Sequence, residues 1–386
     1  MTVRPHPLSW LSAVVLAGCA FEPTGGATED AAPPPIDGDV PPPIDGDVRQ
    51  PTDGAPAGTR FRKAISIAAG TVDELLADFP LYVELTDADL AARAGTGIHF
   101  VDGGGTTALA HEVQAWDPAT GHLEAWVRLP TLAATARTTI YLRYGAFASP
   151  PAANPAAVWQ NGYAAVWHLD GAPGGGTGDI DDARGMVDAT SRGGMNAASR
   201  VDAVLGRGLR FDGSNDELTF TNPLAGATAH TISAWVDQET VDHNSALVVL
   251  GTGACAQARW LHSRFTGGPA AAGFYCDDWT STGVDVVGDG WTLVHWTYAA
   301  GTSRMYRDGE LVAGPFSHMA APATQGTEGR IGNAPAAFGN PMTFLGRLDE
   351  VRIARVARSE AWIAAEYANQ REPASFYTVG AEEAVP

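Results

Sequence analysis

Basic residues are scarce in this chain. Lys and Arg number 24 against 44 Asp and Glu, giving 386 residues a formal net charge of −20. A surface of that sign repels polyanions, which excludes nucleic acid and anionic lipid headgroups as partners. Long apolar runs are missing too: the N-terminal stretch Leu8 to Ala17 is near 10 residues, too short to span a bilayer. Familiar catalytic signatures are absent: there is no His-Glu-x-x-His helix, no Gly-x-Ser-x-Gly turn and no phosphate-binding glycine loop. His111-Glu112 has no second histidine four residues along. Cysteine is limited to three positions, Cys19, Cys255 and Cys276.

Glycine (45) and proline (26) are abundant, and apolar residues make up 45% of the chain. That mix describes turn-rich globular structure, and the length allows two to three domains. The carboxylate excess has two readings: plain solubility, or hard oxygen ligands of the kind Ca²⁺ prefers.

The N-terminus reads as an address. One firm charge, Arg4, precedes the short apolar run, as in a signal peptide. Leu16-Ala17-Gly18-Cys19 resembles the bacterial lipobox, at which the signal is cut and the cysteine acylated. The resemblance implies a signal peptide over 1–19, a lipid anchor on Cys19 and membrane attachment through that anchor alone. Ala20 in place of Asp favours the outer membrane by similarity to enterobacterial sorting. Residues 20–58 follow as a tether, with Pro-Pro-Pro-Ile-Asp-Gly-Asp-Val repeated at Pro33 to Val40 and Pro41 to Val48. Proline triplets favour extended chain and the acids keep it solvated. Its Asp-Gly-Asp units lack the third acid and distal Glu of a calcium loop. On this reading Cys255 and Cys276 face an oxidising compartment, where they form a disulfide; two free buried thiols are the alternative.

From Arg60 the pattern becomes period two. Phe61, Lys63, Ile65 and Ile67 alternate, as do Leu81, Val83 and Leu85, and further runs follow around Trp126 and Tyr144. Such runs, broken by Gly, Asp and Pro, predict short antiparallel strands, with one helical turn over Thr86 to Ala92. The expected fold is all-β: a small antiparallel sandwich over 60–148, a linker over 149–162 and a jelly-roll sandwich over 163–380. Residues 60–148, with the Val166-Trp167-His168-Leu169 junction, resemble a domain of unknown function that precedes laminin-G-like domains in exported bacterial proteins. The second region is similar to laminin-G-like, concanavalin A-like domains. The similarity rests on Gly208 to Asp216, Thr231 to Val236, Trp291 to Tyr298, Met305 to Val312 and Phe344 to Ile353. The Asp308-Gly309 pair suits a type I′ hairpin. Ser359 to Gln370 reads as a helix N-capped by Ser359, and Phe376 to Val379 as a returning final strand.

The concanavalin A-like architecture hosts lectins and glucanases alike, so the fold leaves activity open. Retaining glucanases need paired glutamates on one strand face. The nearest segment, Arg347 to Arg352, lacks both glutamate positions, and strict alternation puts Glu350 opposite Asp349. No catalytic residues are therefore assigned. The resemblance implies a structural Ca²⁺ at the sandwich edge, held by Asp188, Asn196, Asp349 and the chain near Asp212. Side-chain capping of turns is the alternative. A solvent-facing aromatic patch is expected between Cys255 and Trp279, where Trp260, His262, Tyr275, Asp278 and Trp279 would stack on and hydrogen-bond a glycan. Trp235 and Trp296 are assigned to the core, and Trp116, Trp126 and Trp362 to the core or a domain seam. The function expected is a non-catalytic surface module for carbohydrate or protein ligands. An assembly unit of an envelope complex is the alternative.

Overall fold

Alternation governs the strands as the sequence implies. β1 (Arg60–Ile67) buries Phe61, Lys63, Ile65 and Ile67 and leaves the residues between them half-buried. Lys63 is the one charge on that face, and its Nζ is met by Asp87 at 2.7 Å and Asp89 at 2.8 Å. The computed structural model describes residues 59–93, 97–239, 243–265, 268–280, 282–319, 324–339 and 341–385. The signal peptide, Cys19 and the tether lie outside the described residues.

β1 is followed by β2 (Leu76–Thr86), α1 (Ala88–Arg93), β3 (His99–Val101), β4 (His111–Asp117), β5 (His122–Leu132) and β6 (Thr138–Gly145). One sheet joins β1, β6 and β3; a second has the order β2-β5-β4. The short α2 (Pro155–Val158) leads into β7 (Tyr163–Trp167). The larger sandwich then adds β8 (Thr190–Arg192), β9 (Arg200–Asp202), β10 (Arg207–Asp212), β11 (Glu217–Thr221), β12 (His230–Gln238) and β13 (Ser245–Gly251). Next are β14 (Ala258–Arg264), β15 (Ala271–Phe274), β16 (Asp277–Trp279), β17 (Thr292–Ala299), β18 (Thr302–Arg307), β19 (Glu310–Ser317), β20 (Glu328–Ile331) and β21 (Leu345–Ala354). These strands form an eight-stranded sheet, β19-β18-β17-β12-β21-β10-β9 with β7 also on β21, and a seven-stranded sheet, β16-β15-β14-β13-β20-β11-β8. The β18–β19 turn has positive φ at both Asp308 and Gly309, as a type I′ turn requires.

The core between these two sheets can be read along single cross-strand rows. Leu218, Ile331, Val248, Leu261, Ala272 and Trp279 are successive partners across the seven-stranded sheet, and all six lie in the main hydrophobic cluster. The eight-stranded sheet contributes Ala165, Ile353, Ile232, Trp296 and Met305. Its other face is also covered. Val166, Trp235, Leu293 and Ala354 belong to a second cluster with Tyr82 and Trp126 of the small sandwich and with Trp362 of α3 (Glu360–Arg371). This sheet is therefore buried on both sides, and Ala55–Pro386 form one compact unit. Ser359 caps α3 as expected, its Oγ accepting from Trp362 N.

Two expectations are corrected. The segment after α3 does not return to the large sandwich: α4 (Pro373–Phe376) turns the chain, and β22 (Thr378–Val379) and β23 (Glu383–Val385) pair with β1 of the small one. Strict alternation also fails at Glu350. Ser233 pairs with Arg352 but Trp235 pairs with Asp349, so two residues of β21 face one of β12, and Glu350 takes φ 51°. The bulge turns Asp349 and Glu350 to the same side, because the extra residue breaks the period of two.

Candidate ligand-binding face

With both sides of the eight-stranded sheet covered, the outer side of the seven-stranded sheet is the broad face left to meet a ligand. Its residues alternate with the core row. Thr219, Arg330, Val249, Trp260, Gly273 and Asp278 stand side by side from β11 to β16. At the β11–β20 end, Glu217, Arg330 and Asn333 line a cavity of about 300 Å³ walled by the loop through Ala336, Gly339 and Pro341. The Arg330 guanidinium pairs with Glu217 and Glu328. Burial pushes the Glu217 carboxyl up, and Arg330 and a hydrogen bond from Asn333 oppose the shift. Asn333 Oδ1 accepts from Ala334 N at 2.8 Å and Met342 N at 3.0 Å, which anchors the loop at both ends. Cation, carboxylates and amide together present donors and acceptors to a hydroxylated ligand.

The aromatic patch expected beside this cavity is largely closed. Trp279 is 6% exposed and points into the core, where it stacks on Phe316 at 5.2 Å. Trp260 is on the outer side but only 3% exposed, stacked on Phe265 at 5.3 Å and packed with Phe338 and Met342. His262 is 2% exposed, and burial drives its pKa down to about 3. The expectation of open stacking rings at Trp260, His262 and Trp279 is thus corrected: Trp279 faces the core, His262 is buried, and Phe265, Phe338 and Met342 cover Trp260. Tyr275 is half-buried against Phe338 at 5.3 Å, and Asp278 is exposed. Gly273, between Trp260 and Asp278, has no side chain, so the Asp278 carboxylate reaches the Trp260 indole. Although Asp278 as a whole is exposed, desolvation of its carboxyl raises the pKa to about 6, partly offset by the hydrogen bond from Trp260. Cys255 and Cys276 form the disulfide, with Cα atoms 5.0 Å apart, and tie the start of β14 to the β15–β16 turn.

The four residues expected to hold Ca²⁺ are engaged separately. Asp188 Oδ1 accepts from Asp182 N (3.0 Å), Asn196 Oδ1 from Ala198 N (2.9 Å) and Asp212 Oδ1 from Ser214 N (2.8 Å). Asp349 is fully buried and its Oδ2 accepts from Leu205 N at 2.9 Å. Burial and the neighbouring Glu350 hold its carboxyl well above the usual range. Among the described residues no group of three His, Cys, Asp or Glu side chains is placed to hold a metal ion.

Sequence reasoning missed a polar network in the seam between the sandwiches. Glu112 accepts from Trp159 Nε1 (2.8 Å) and lies 3.4 Å from His168 Nε2, while His168 Nδ1 meets Glu350 Oε1 at 2.6 Å. Glu350 also binds Arg352, whose Nη1 reaches Glu366 Oε1 of α3 at 2.6 Å. The Arg352 guanidinium lies over Trp126 and Trp159, at 4.4 and 4.7 Å from their centroids. Burial opposes every charge here, but Glu350 and Glu112 still raise His168 well above its ordinary value. His295 and Arg352 likewise hold Glu366 down at about 2. Almost no solvent reaches these groups, so they join the sandwiches and are closed to a substrate. Glu217, Arg330 and Asn333 were also missed, because an isolated charge in an alternating strand has no local signature.

Residues 212–364 match the family model described as the concanavalin A-like lectin/glucanases superfamily. The large sandwich is a concanavalin A-like domain. Residues 94–182 match a domain of unknown function, DUF2341, so the two expected modules occur in the expected order. A comparison with curated proteins finds no match. Among solved structures, domain 4 of an extracellular GH43 arabinanase from Geobacillus stearothermophilus, in complex with arabinotriose, is 17% identical with a TM-score of 0.43; the match covers 54% of this chain and 98% of that one. A Trypanosoma rangeli sialidase mutant displaying trans-sialidase activity is 15% identical with a TM-score of 0.43, covering 67% of this chain and 44% of that one. The binding domain of a serotype D/C botulinum neurotoxin is 9% identical with a TM-score of 0.40, covering 54% and 52%. The chain spans less than half of the sialidase's length. Among the described residues no helix is long and apolar enough to cross a membrane.

Proposed function

We propose that the protein is a non-catalytic, lipid-anchored envelope protein, held at the outer membrane through Cys19, whose concanavalin A-like domain binds carbohydrate. The observation that carries this reading is the cavity of Glu217, Arg330 and Asn333 on the seven-stranded sheet, the broad face the small sandwich leaves free. The match to a lectin and glucanase family supports the ligand class. The acids near the cavity favour a non-catalytic role: Glu217 and Glu328 share Arg330 between them, an arrangement suited to holding hydroxyls rather than to splitting a glycosidic bond. The test is a glycan array probed with the purified full-length chain, wild type and Arg330→Ala. Binding that Arg330→Ala abolishes is expected. Failure to bind any glycan, or release of reducing sugar from a bound polysaccharide, overturns the reading.

A second reading has one observation in its favour. The continuous apolar seam between the sandwiches suits a rigid assembly unit of an envelope complex with a protein partner. Cross-linking on cells to one defined envelope protein, together with a blank glycan array, would select it.

A further inference from the structure

One wall of the cavity at Arg330 is a single helical turn, Ala336–Phe338, carried on the loop that Asn333 pins at both ends. Ala336, Gly339 and Pro341 line the cavity. Ala337 and Phe338 instead meet the two turns that the disulfide joins. The first is Thr252 to Gln257, between β13 and β14. A Cβ on Gly253 would collide with the Ala337 carbonyl, 2.9 Å from its carbon, so only glycine lets the two backbones touch. The second is the β15–β16 turn, where Tyr275 packs edge-on to Phe338 at 5.3 Å. The cavity wall therefore rests on both ends of the Cys255–Cys276 bridge.

The two turns are held in conformations that their residues do not favour. Ala256 takes φ 59° and Cys276 φ 71°, the left-handed region that side chains other than glycine avoid. Such geometry persists only where the surroundings enforce it, and here the covalent bridge lies beside both residues. Ala256 N also donates to Tyr275 O at 2.7 Å, next to the bridge. Both half-cystines are exposed, so an external thiol can reach the bond. Exposed disulfides are the ones that exchange readily, whereas sealed ones resist. Cutting this bond would free Ala256 and Cys276 to relax, and the residues that move with them, Gly253 and Tyr275, are those that support the wall.

We propose that the Cys255–Cys276 disulfide is a redox-gated clamp that positions the wall of the Arg330 cavity, so that sugar is held tightly by the oxidised protein and weakly by the reduced one. The inference rests on the carbohydrate reading of that cavity. The step is thiol–disulfide exchange with a dithiol reductant, which supplies two electrons and two protons. The bond between the two sulfurs breaks, two thiols form, and the reductant leaves as its own disulfide. Gly253 and Tyr275 then withdraw from Ala337 and Phe338, while Asn333 still holds the ends of the loop. Glu217 and Arg330 stand on β11 and β20, away from the bridge, so the polar groups keep their places and only the wall gives way.

The test compares the full-length protein oxidised, reduced with dithiothreitol, and as two variants. Cys255→Ser with Cys276→Ser removes the bond, and Gly253→Val keeps it while forcing the wall away. Each is measured at a temperature where its Tm shows it to be folded. Amide hydrogen exchange reads residues 334–342, with β1 and β6 as internal reference, and calorimetry reads binding of cellohexaose, xylohexaose and maltohexaose. Reduction and both variants are expected to speed exchange at 334–342 and to weaken the bound sugar about tenfold, with β1 and β6 unchanged. Reoxidation of the reduced protein should restore both. Unchanged exchange at 334–342 after reduction overturns the proposal, and so does loosening that leaves affinity intact. Equal loosening of β1 and β6 would mark the bond as a general staple and overturn it too. A blank titration of the oxidised protein tells against the carbohydrate reading itself. The exchange response then decides the clamp separately: local loosening supports it and none overturns it.

Discussion

Glu350 Oε1 lies 2.6 Å from His168 Nδ1, and both side chains are sealed in the seam where the two sandwiches meet. Such a pair is costly to bury and costlier to break, because removing one partner leaves a desolvated charge alone. Glu350→Ala is expected to destabilise by about 3–5 kcal/mol in urea titrations. As one apolar cluster runs through both sandwiches, far-UV circular dichroism and tryptophan fluorescence should report a single shared midpoint. Two separated transitions in the wild type would contradict the common core.

Stability should fall on the acid side in two stages. His262 and His230 are held below their ordinary 6.5 by burial, His262 at about 3, so from pH 6.5 downward the unfolded chain binds protons the folded one refuses. Glu366 adds to the loss from its ordinary 4.5 toward 2. Each group contributes a slope of about 1.4 kcal/mol per pH unit within its window. His168 acts in the opposite sense: its raised pKa stabilises fully below 6.5, and that contribution is lost as pH rises through the folded value. A Tm profile against pH checks this, and His262→Leu should flatten the limb between pH 6.5 and 3.

Trp260 and Arg330 stand two strands apart on one sheet face, and their variants should separate packing from binding. Trp260→Ala empties a covered site and should cost about 3–5 kcal/mol. Arg330→Ala removes a partly exposed ion pair, which contributes about 1 kcal/mol or less to stability. Its expected effect is loss of glycan binding with Tm nearly unchanged. The reverse pattern would return the ligand to the aromatic patch.

Calcium should have little effect on stability. Asp188, Asn196 and Asp212 cap local backbone, and Asp349 is buried and accepts from Leu205, so among the described residues these four share no oxygen cage. Adding 1 mM EDTA or about 5 mM CaCl₂ is expected to leave Tm within about 1 °C, a shift worth a few tenths of a kcal/mol. A rise of several degrees with Ca²⁺ would show that these residues regroup around the ion.

The strands, the type I′ turn at Asp308-Gly309 and the Ser359 cap were legible because each rests on local chemistry: side-chain period, backbone freedom at glycine, and one hydroxyl beside free helical N–H groups. The order of the two modules was legible through motifs spread along the chain. The bulge at Glu350 was not, because the residue that breaks a ladder is identified only by the strand beside it. Nor was the covering of Trp260, whose ring has the same sequence signature whether loops or solvent lie above it.

What the residues determined alone, then, was the all-β alternation and the apolar positions able to form a core, since both depend on neighbours a few places apart. Tertiary structure decided which sheet face stays open and where β22 and β23 dock. Those outcomes depend on groups tens to hundreds of residues apart, and burial, which sets the cost of an unmatched charge or amide, exists only once they have met.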